Sequence, residues 1–236
     1  MEWWEDEQFW RDLMPYLFSP SVMERTEQDL EDILDRTNLP EGGRILDVGC
    51  GVGRLMLPLV QQGYELVGVD ICDAYRRRLR AIAVERDLVV DVRARSALEM
   101  GIEDESPFDL VMDVFAVVGY FDDPVGDVRA VSAFRESLKS GGQVFIATRH
   151  PDASNGRFKH SAPGGYCIEE RRYERTSQQL FTQWTVSGAV NRVHRSAVRL
   201  YSADDLKGLL AVCGFEDVQL YEQLSFERNI VIGTAP

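Results

Sequence analysis

The hydrophobic positions of this chain fall into short runs that alternate with longer stretches of helical spacing. The runs are rich in valine, leucine and isoleucine, which is typical of buried strands. They lie at 44–48, 65–70, 88–93, 108–115 and 143–148. The stretches with helical spacing lie at about 52–62, 73–86 and 124–138. Strands that alternate with helices in this order predict a doubly wound α/β fold, in which helices cover both faces of a parallel sheet.

The pattern changes after the fifth of these strands. Three runs of β character, separated by turn-forming residues, predict an antiparallel insertion over 150–200. The runs lie at 166–173, 179–187 and 191–200. Ser202 then stands as the N-cap of a further helix, and Gly214 ends that helix. The last two apolar runs are expected to pair as a hairpin and close the sheet, at 216–223 and 227–234.

The N-terminal segment is acidic and aromatic. Trp3, Phe9 and Leu13 stand near helical spacing, which predicts a helix that packs on the core. Tyr16 follows Pro15 and is expected in a loop that faces the active site. We therefore expect a single domain over 1–236. Its parts are an N-terminal helical lid at 1–43, a core at 44–149 and 201–236, and an antiparallel β cap at 150–200.

A glycine-rich turn follows the first strand. Asp47 ends that strand, and Gly49, Gly51 and Gly53 come at alternate positions after it. Glycines allow the backbone to approach a ligand without a clash from a Cβ atom. The second strand ends in Asp70, 19 residues beyond Gly51. A βαβ unit that places an acid on a ribose hydroxyl has a spacing of about 20 residues, so the pattern predicts a nucleoside cofactor.

Departures from the dinucleotide pattern narrow the choice of cofactor. In G-x-G-x-x-G counted from Gly49, the third glycine position is occupied by Arg54. Asp47 would also repel a pyrophosphate at the strand end, whereas it would attract a cationic ligand. S-adenosylmethionine carries adenosine, a sulfonium and an ammonium, and it has no phosphate. The residues therefore favour S-adenosylmethionine as the cofactor.

The D-x-G-x-G-x-G turn and the acid at the end of the next strand resemble motif I of the class I S-adenosylmethionine-dependent methyltransferases. Three more segments are similar to the small-molecule members of that family, among them bacterial methyltransferases and amino-sugar N,N-dimethyltransferases. The segments are Phe108–Val111, Leu138–Gly142 and Arg199–Phe215. The resemblance implies a Rossmann-like, doubly wound, seven-stranded sheet with an antiparallel β insertion after strand five. It also implies S-adenosylhomocysteine as the product of the cofactor.

The resemblance implies a set of cofactor-binding residues at the carboxyl ends of the strands. They are Asp47, Gly49, Cys50, Gly51, Asp70, Ile71, Ser96, Ala97, Asp113 and Phe115. Asp70 would accept hydrogen bonds from the ribose hydroxyls, and Ile71 would pack on adenine. Many relatives carry Asp-Ala where this chain has Ser96-Ala97, and a serine hydroxyl still accepts one hydrogen bond. Asp113 and Phe115 would lie where the sulfonium meets the acceptor.

Methyl transfer needs alignment of donor and acceptor above all, which supplies at best about 7–11 kcal/mol of the barrier reduction. A general base is needed only where the acceptor loses a proton near the transition state. His150 and Asp113 are the candidates for that role; alternatively, His150 is structural and Asp113 caps a loop. The candidate acceptor-binding residues are Tyr16, Tyr120, Tyr166, Arg172 and His194. A structural role is the stronger reading of His194.

Composition restricts the partners. The net charge of −13 argues against nucleic acid, whose phosphates require a basic surface, and is compatible with a small neutral or cationic acceptor. The four cysteines are widely spaced, which suits a reducing cytoplasm, and no histidine or acidic cluster has metal-ligand spacing. No apolar run approaches the ~18 residues of a membrane span. We therefore expect a cytoplasmic protein without a metal or a membrane partner.

The sequence leaves three classes of function. The favoured class is transfer of a methyl group from S-adenosylmethionine to an oxygen or nitrogen atom of a small molecule. The alternatives are a non-catalytic S-adenosylmethionine-binding protein and a nucleotide-dependent oxidoreductase on a related fold. The acceptor and the oligomeric state are open at this point.

Overall fold

The computed structural model describes residues 2–100, 107–115, 117–153, 155–188, 190–223 and 228–236. The helices are α1 (Glu7–Leu17), α2 (Pro20–Met23), α3 (Thr26–Arg36), α4 (Met56–Gln61), α5 (Asp73–Glu85), α6 (Pro124–Ser137) and α7 (Ala203–Val212). The strands of the core are β1 (Arg44–Val48), β2 (Glu65–Val69), β3 (Asp91–Arg93), β4 (Phe108–Val114), β5 (Leu138–Arg149), β10 (Glu216–Gln223) and β11 (Arg228–Thr234). The strands of the insertion are β6 (Gly156–Ala162), β7 (Gly165–Glu174), β8 (Gln179–Gly188) and β9 (Arg192–Arg199).

In the described part of the chain, the core forms a seven-stranded sheet in the order β10-β11-β5-β4-β1-β2-β3. Strands β1 to β5 are parallel, whereas β11 pairs antiparallel with β5 and with β10. The predicted hairpin is thus confirmed, although residue 227 lies outside the described residues. The doubly wound fold with an antiparallel insertion after the fifth strand is also confirmed.

Helices cover both faces of this sheet. Phe134 of α6 and Leu206 of α7 are fully buried against one face. Ile33 of α3, Leu59 of α4 and Leu79 of α5 are fully buried against the other. Because both faces are covered, the central parallel strands are mostly apolar, and the expected position for a ligand is the carboxyl edge, where the loops begin.

The insertion forms an antiparallel sheet in the order β6-β7-β8-β9. At its end, Arg199 donates its backbone N–H to the carbonyl of Gly119, 2.7 Å away, in the loop that follows β4. The insertion therefore lies against the carboxyl edge of the core. Strand β6 was not predicted, because its exposed edge carries mostly polar side chains and only main-chain pairing with β7 defines it.

Two further expectations differ from the structure. The strand predicted at 88–93 is β3, which spans only Asp91–Arg93 at the edge of the sheet. Tyr16 was predicted in a loop, but α1 continues through Pro15 to Leu17. Phe9, Leu13 and Tyr16 stand at helical spacing and are all buried, so the burial of this face outweighs the helix-breaking tendency of the proline.

Candidate functional site

The glycine turn folds back over the end of the neighbouring strand. The backbone N–H groups of Gly49 and Cys50 donate to the carbonyl of Val69 at 2.8 and 3.1 Å. Gly49 and Gly51 have φ angles of +70° and +57°, in the left-handed region that glycine adopts without strain. A Cβ atom on Gly51 would lie 2.8 Å from the ring of Phe18. The turn thus requires glycine both for its backbone conformation and for the close packing above it.

Asp70 joins this turn to the loop that follows β2. Its Oδ2 accepts the N–H of Gly51 at 2.9 Å, and its Oδ1 accepts the N–H of Cys72 at 2.8 Å. Burial raises the pKa of Asp70, and the two backbone hydrogen bonds offset part of that shift. Each carboxylate oxygen has a second lone pair, so both retain capacity to accept a hydroxyl donor from a ligand.

A cleft of about 310 Å³ opens beside Asp70. Its lining residues are Trp4, Glu5, Glu7, Trp10, Ile71, Cys72, Ser96, Leu98 and Glu99. Two of the residues predicted to hold the adenine, Ile71 and Ser96, therefore face one cavity. Ala97, predicted with them, is buried in the core below and does not line it. The apolar side chain of Ile71 suits the face of a nucleobase, and the hydroxyl of Ser96 suits its edge.

The N-terminal segment forms a wall of this cleft. Glu7 of α1 accepts the N–H groups of Asp73 and Ala74 at 3.0 and 2.9 Å, at the N-terminus of α5. A carboxylate at this position is stabilised by the helix dipole. Trp10 packs on Tyr75, and its ring stacks on Tyr120 with the centroids 6.2 Å apart. The segment expected to act as a lid therefore lies over the glycine turn and the cleft.

Tyr75, which the sequence analysis did not single out, provides a test of whether the site fits a cofactor. Its side chain is buried between Trp10 and Phe18, and its hydroxyl has no hydrogen-bond partner among the described residues. Burial raises the pKa of Tyr75 well above its usual range. A buried hydroxyl without a partner is costly, so this group calls for a polar ligand. Together with Asp70 and the glycine turn, it fits an adenosine-type cofactor.

Two predicted acids are buried at the strand ends. Asp113 is fully buried, and its Oδ1 and Oδ2 accept the N–H groups of Val117 and Val118 at 2.7 and 3.1 Å. This arrangement matches the reading of Asp113 as a loop-capping acid rather than a base. Burial raises the pKa of Asp113 to about 7. Burial also raises the pKa of Asp47 to about 7, against the lowering effect of the Arg54 guanidinium.

His150 directly follows β5 at the same edge of the sheet. Its Nδ1 accepts the backbone N–H of Asp152 at 3.1 Å. This hydrogen bond fixes the orientation of the imidazole ring beside the end of β5.

The strands of the insertion separate the predicted acceptor-binding residues. Glu169, Trp184 and His194 stand opposite one another on β7, β8 and β9 and share one face of the sheet. Tyr166 and Arg172 lie an odd number of residues from Glu169 and point to the other face, which is solvent. Tyr166 is 40% exposed and the side chain of Arg172 is 68% exposed. The structure therefore places these two candidates on the opposite face of the insertion from His194.

The remaining candidates lie on or under the N-terminal helix. His194 is buried and hydrogen-bonded to Asp12, so its role in the structure is to hold α1. Tyr16 is buried with Leu13 and Cys167 between α1 and the insertion. Tyr120 alone lies beside the cleft region, with its hydroxyl 3.5 Å from the carbonyl of Phe115 at the end of β4.

A family of methyltransferase domains matches residues 22–220 of this chain. Two curated relatives are ubiquinone biosynthesis O-methyltransferases. The one from Xanthomonas axonopodis pv. citri is 30% identical over 109 residues, which are 46% of this chain and 44% of that protein. The one from Pseudomonas aeruginosa (strain LESB58) is 33% identical over 114 residues, 48% and 47% of the two chains. The chain thus spans about half the length of the curated relatives it matches.

Solved structures share the fold over most of their length. The CcbJ methyltransferase from Streptomyces caelestis has a TM-score of 0.74 at 16% identity, with 89% of each chain covered. CalS10, an amino pentose methyltransferase from Micromonospora echinaspora solved with bound S-adenosylmethionine, has a TM-score of 0.70 at 19% identity, covering 92% of this chain and 96% of that one. The fold is that of a class I methyltransferase. The chain belongs to the methyltransferase domain family.

No helix among the described residues is long and apolar enough to cross a membrane. In the same residues, no group of three or more histidine, cysteine or acidic side chains lies together as a metal site would require.

Proposed function

We propose that this protein transfers a methyl group from S-adenosylmethionine to an oxygen or nitrogen atom of a small molecule. The observation that carries the proposal is the position of Asp70. Its carboxylate joins Gly51 of the glycine turn to Cys72, beside a cleft lined by Ile71 and Ser96. The family of the chain and the names of its relatives support the same activity.

The residues of the cleft have distinct roles in holding the cofactor. Asp70 accepts hydrogen bonds from the ribose hydroxyls, and Ile71 and Ser96 hold the adenine. Tyr75 offers its hydroxyl to the polar part of the ligand, and Asp47 provides a negative charge for the ammonium of the methionine end. The cofactor, when bound, supplies a methyl group that its sulfonium makes electrophilic.

The chain contributes to methyl transfer mainly by alignment. Asp113 has both oxygens in hydrogen bonds to the loop after β4, so it keeps that loop in place at the reacting centre. His150 follows β5 at the same edge and either orients the acceptor or removes its proton. Trp10 and Tyr120 cover the glycine turn and exclude water. Orientation and exclusion of water are the terms that a displacement at carbon requires most.

The proposed acceptor is a small molecule rather than nucleic acid. The net charge of −13 is unfavourable for phosphate backbones.

Two measurements test the proposal. Isothermal titration of the purified protein with S-adenosylhomocysteine and with NADH should show binding of the former alone. Conversion of the methyl donor should then be followed over a library of metabolites that contains hydroxyl and amine acceptors. Binding of NADH in preference would favour an oxidoreductase, and cofactor binding without turnover of any acceptor would favour a non-catalytic binding protein.

A further inference from the structure

Three charged residues from distant parts of the chain meet beneath the end of β4. Asp29 of α3 lies between Arg54, which follows the glycine turn, and Arg228, which begins β11. Asp29 Oδ2 is 2.7 Å from Arg54 Nη1, and Asp29 Oδ1 accepts from Arg228 Nη1 at 2.7 Å. All three are buried, with exposed fractions of 7%, 5% and 6%. None of them has a role in the cofactor site described above.

The two guanidinium groups have unused hydrogen-bond donors. Nη2 of Arg54 and Nη2 of Arg228 are buried and have no hydrogen-bond partner among the described residues. A buried donor without a partner is destabilising, more so on a charged group. Asp29 is a single carboxylate shared by both arginines, so it cannot satisfy all their donors.

Positive charge exceeds negative charge in this cluster. Arg25 adds a third guanidinium, whose charge acts on both Arg54 and Arg228. Burial lowers the pKa of Arg228 to about 10, against the raising effect of Asp29, while the charges of Arg25 and Arg54 lower it further. Asp47 is the second acid whose charge acts on Arg54. Among these described residues, three arginines therefore lie with two acids, although the whole protein is acidic.

The cluster lies at the carboxyl edge of the sheet, against the residue that follows β4. The Arg54 and Arg228 guanidinium groups are 4.8 and 4.4 Å from the centroid of Phe115, whose ring is 48% exposed at the end of β4. Arg228 pairs with Arg149, the last residue of β5. Asp70 lies on the other side of β1, at the end of β2. Strands β5, β4 and β1 thus separate Arg228 from Asp70, whereas Arg54 follows the glycine turn after β1.

We propose that Arg54 and Arg228 bind a carboxylate of the methyl acceptor, so that the acceptor is a small anionic molecule. This inference rests on the proposed function. Arginine forks match the geometry of a carboxylate, and the unpartnered Nη2 atoms provide the donors. Phe115, stacked on both guanidinium groups and open to solvent, offers an apolar surface to the body of the same molecule. The expectation of a neutral or cationic acceptor followed from the net charge, and the local charge points to the opposite class.

The methionine end of the cofactor also carries a carboxylate, so the experiment must separate the two sources. The wild-type protein, saturated with S-adenosylhomocysteine, is titrated with benzoate, succinate and acetate and with the corresponding amides. The same titrations are made without the cofactor product. Arg228→Gln removes the charge, and Arg228→Lys keeps the charge but loses the fork. Arg175→Gln, on an exposed turn of the insertion, is the matched control. Thermal unfolding shows which variants are folded.

We expect at least one carboxylate to bind the saturated wild-type protein and its amide to bind at least about tenfold more weakly. Arg228→Gln should weaken the carboxylate at least about tenfold, as the loss of a charge-assisted hydrogen bond implies. Arg228→Lys should have an intermediate affinity, and Arg175→Gln should match the wild type.

Three outcomes would overturn the inference. The first is that the saturated wild-type protein binds carboxylates and amides equally well, or binds neither. The second is carboxylate binding that Arg228→Lys and Arg228→Gln leave unchanged. The third is a loss of S-adenosylhomocysteine affinity in these variants with carboxylate binding intact, which assigns the arginines to the cofactor. Failure of the wild-type protein to bind S-adenosylhomocysteine would instead refute the proposed function, and it is recorded separately.

Discussion

Asp12 Oδ2 lies 2.9 Å from His194 Nε2, although 182 residues separate the two along the chain. Asp12 belongs to α1 and His194 to β9, so their contact joins the N-terminal segment to the insertion. Arg192 adds a second bond to the same oxygen at 2.6 Å. Because α1 also carries Glu7 and Trp10 to the cleft, the contact holds a wall of the cofactor site in place from the insertion side.

Replacement of the Asp12 carboxylate should weaken the contact between α1 and the insertion. Asp12→Asn loses two charge-assisted hydrogen bonds, each worth at most about 1.5–3 kcal/mol. The bond from Arg192 contributes less than the bond from His194, because the Arg192 side chain is partly exposed to solvent. We expect a loss of about 2–3 kcal/mol in the free energy of unfolding at pH 7, measured by urea denaturation. Asp35→Asn, on an exposed site of α3, is the control and should match the wild type. Equal stability of Asp12→Asn and the control would contradict the assigned contact.

The stability that the Asp12 carboxylate contributes should depend on pH. Burial raises the pKa of Asp12, but the hydrogen bonds from His194 and Arg192 outweigh it, so the pKa lies below the ordinary value of 3.8. A carboxyl group whose pKa is lower in the folded protein stabilises the fold at pH values above its pKa in the unfolded chain. This stabilisation is lost as the pH falls through its pKa in the folded protein. The stability difference between wild type and Asp12→Asn should therefore narrow below about pH 4. A constant difference from pH 7 to pH 3 would count against it.

The proposed ribose contact is tested at Asp70. Asp70→Ala removes an acceptor for two hydroxyl groups, at about 1.5–3 kcal/mol for each charge-assisted bond. The affinity for S-adenosylhomocysteine, measured by titration calorimetry, should fall at least about a hundredfold, with Asp35→Ala as the control. Thermal unfolding is needed in parallel, because Asp70 also holds Gly51 and Cys72. Unchanged affinity in a folded variant would remove Asp70 from the cofactor site.

Glu7 connects the N-terminal segment to α5, and its removal should expose that segment. Glu7→Gln keeps the shape of the side chain but weakens the bonds to Asp73 and Ala74, at a cost of about 0.5–2 kcal/mol for a helix cap. We expect faster cleavage of the first 25 residues by limited proteolysis and weaker binding of S-adenosylhomocysteine. Glu41→Gln, on an exposed loop, is the matched control. Protection equal to the control would show that Glu7 does not hold the segment.

The stability that Asp113 contributes should depend on pH in the opposite direction to that of Asp12. Burial raises its pKa to about 7, so the folded protein holds a proton that the unfolded chain releases near pH 3.8. Stability from this group is greatest at low pH and declines as the pH rises towards 7. Asp113→Asn cannot ionise, and its stability should fall less than that of the wild type between pH 5 and pH 8. Parallel curves for the two proteins would contradict the raised pKa.

Features confined to one βαβ unit were predictable from the sequence. The glycine turn and Asp70 were found because Gly49 and Gly51 need left-handed φ angles that other residues avoid, and because the strand-to-strand spacing is set by one short helix. Ile71 reached the cleft for the same reason, since it directly follows the strand. The alternation of strands and helices also predicted the order of elements, because the period of the apolar positions is a local property.

The positions of the candidate acceptor-binding residues depend on tertiary structure. Which face of the insertion Tyr166 and Arg172 occupy follows from strand register, and a shift of one residue exchanges the two faces. That register is set by pairing across β6 to β9, so residue type alone could not place Tyr166 and Arg172 on the solvent face. Tyr16 was misplaced for a related reason: the buried face that it shares with Leu13 exists only once the insertion packs on α1.

The arginine cluster shows most clearly what the chain alone could not reveal. Arg228 and Asp29 are 199 residues apart, and neither stands in a recognisable motif. Arg54 is visible beside the glycine turn, but its partner is set by the packing of α3 against β11. Short-range spacing therefore determined the cofactor site, whereas the charge of the acceptor site arises from side chains that only the folded sheet and its covering helices bring within hydrogen-bond distance.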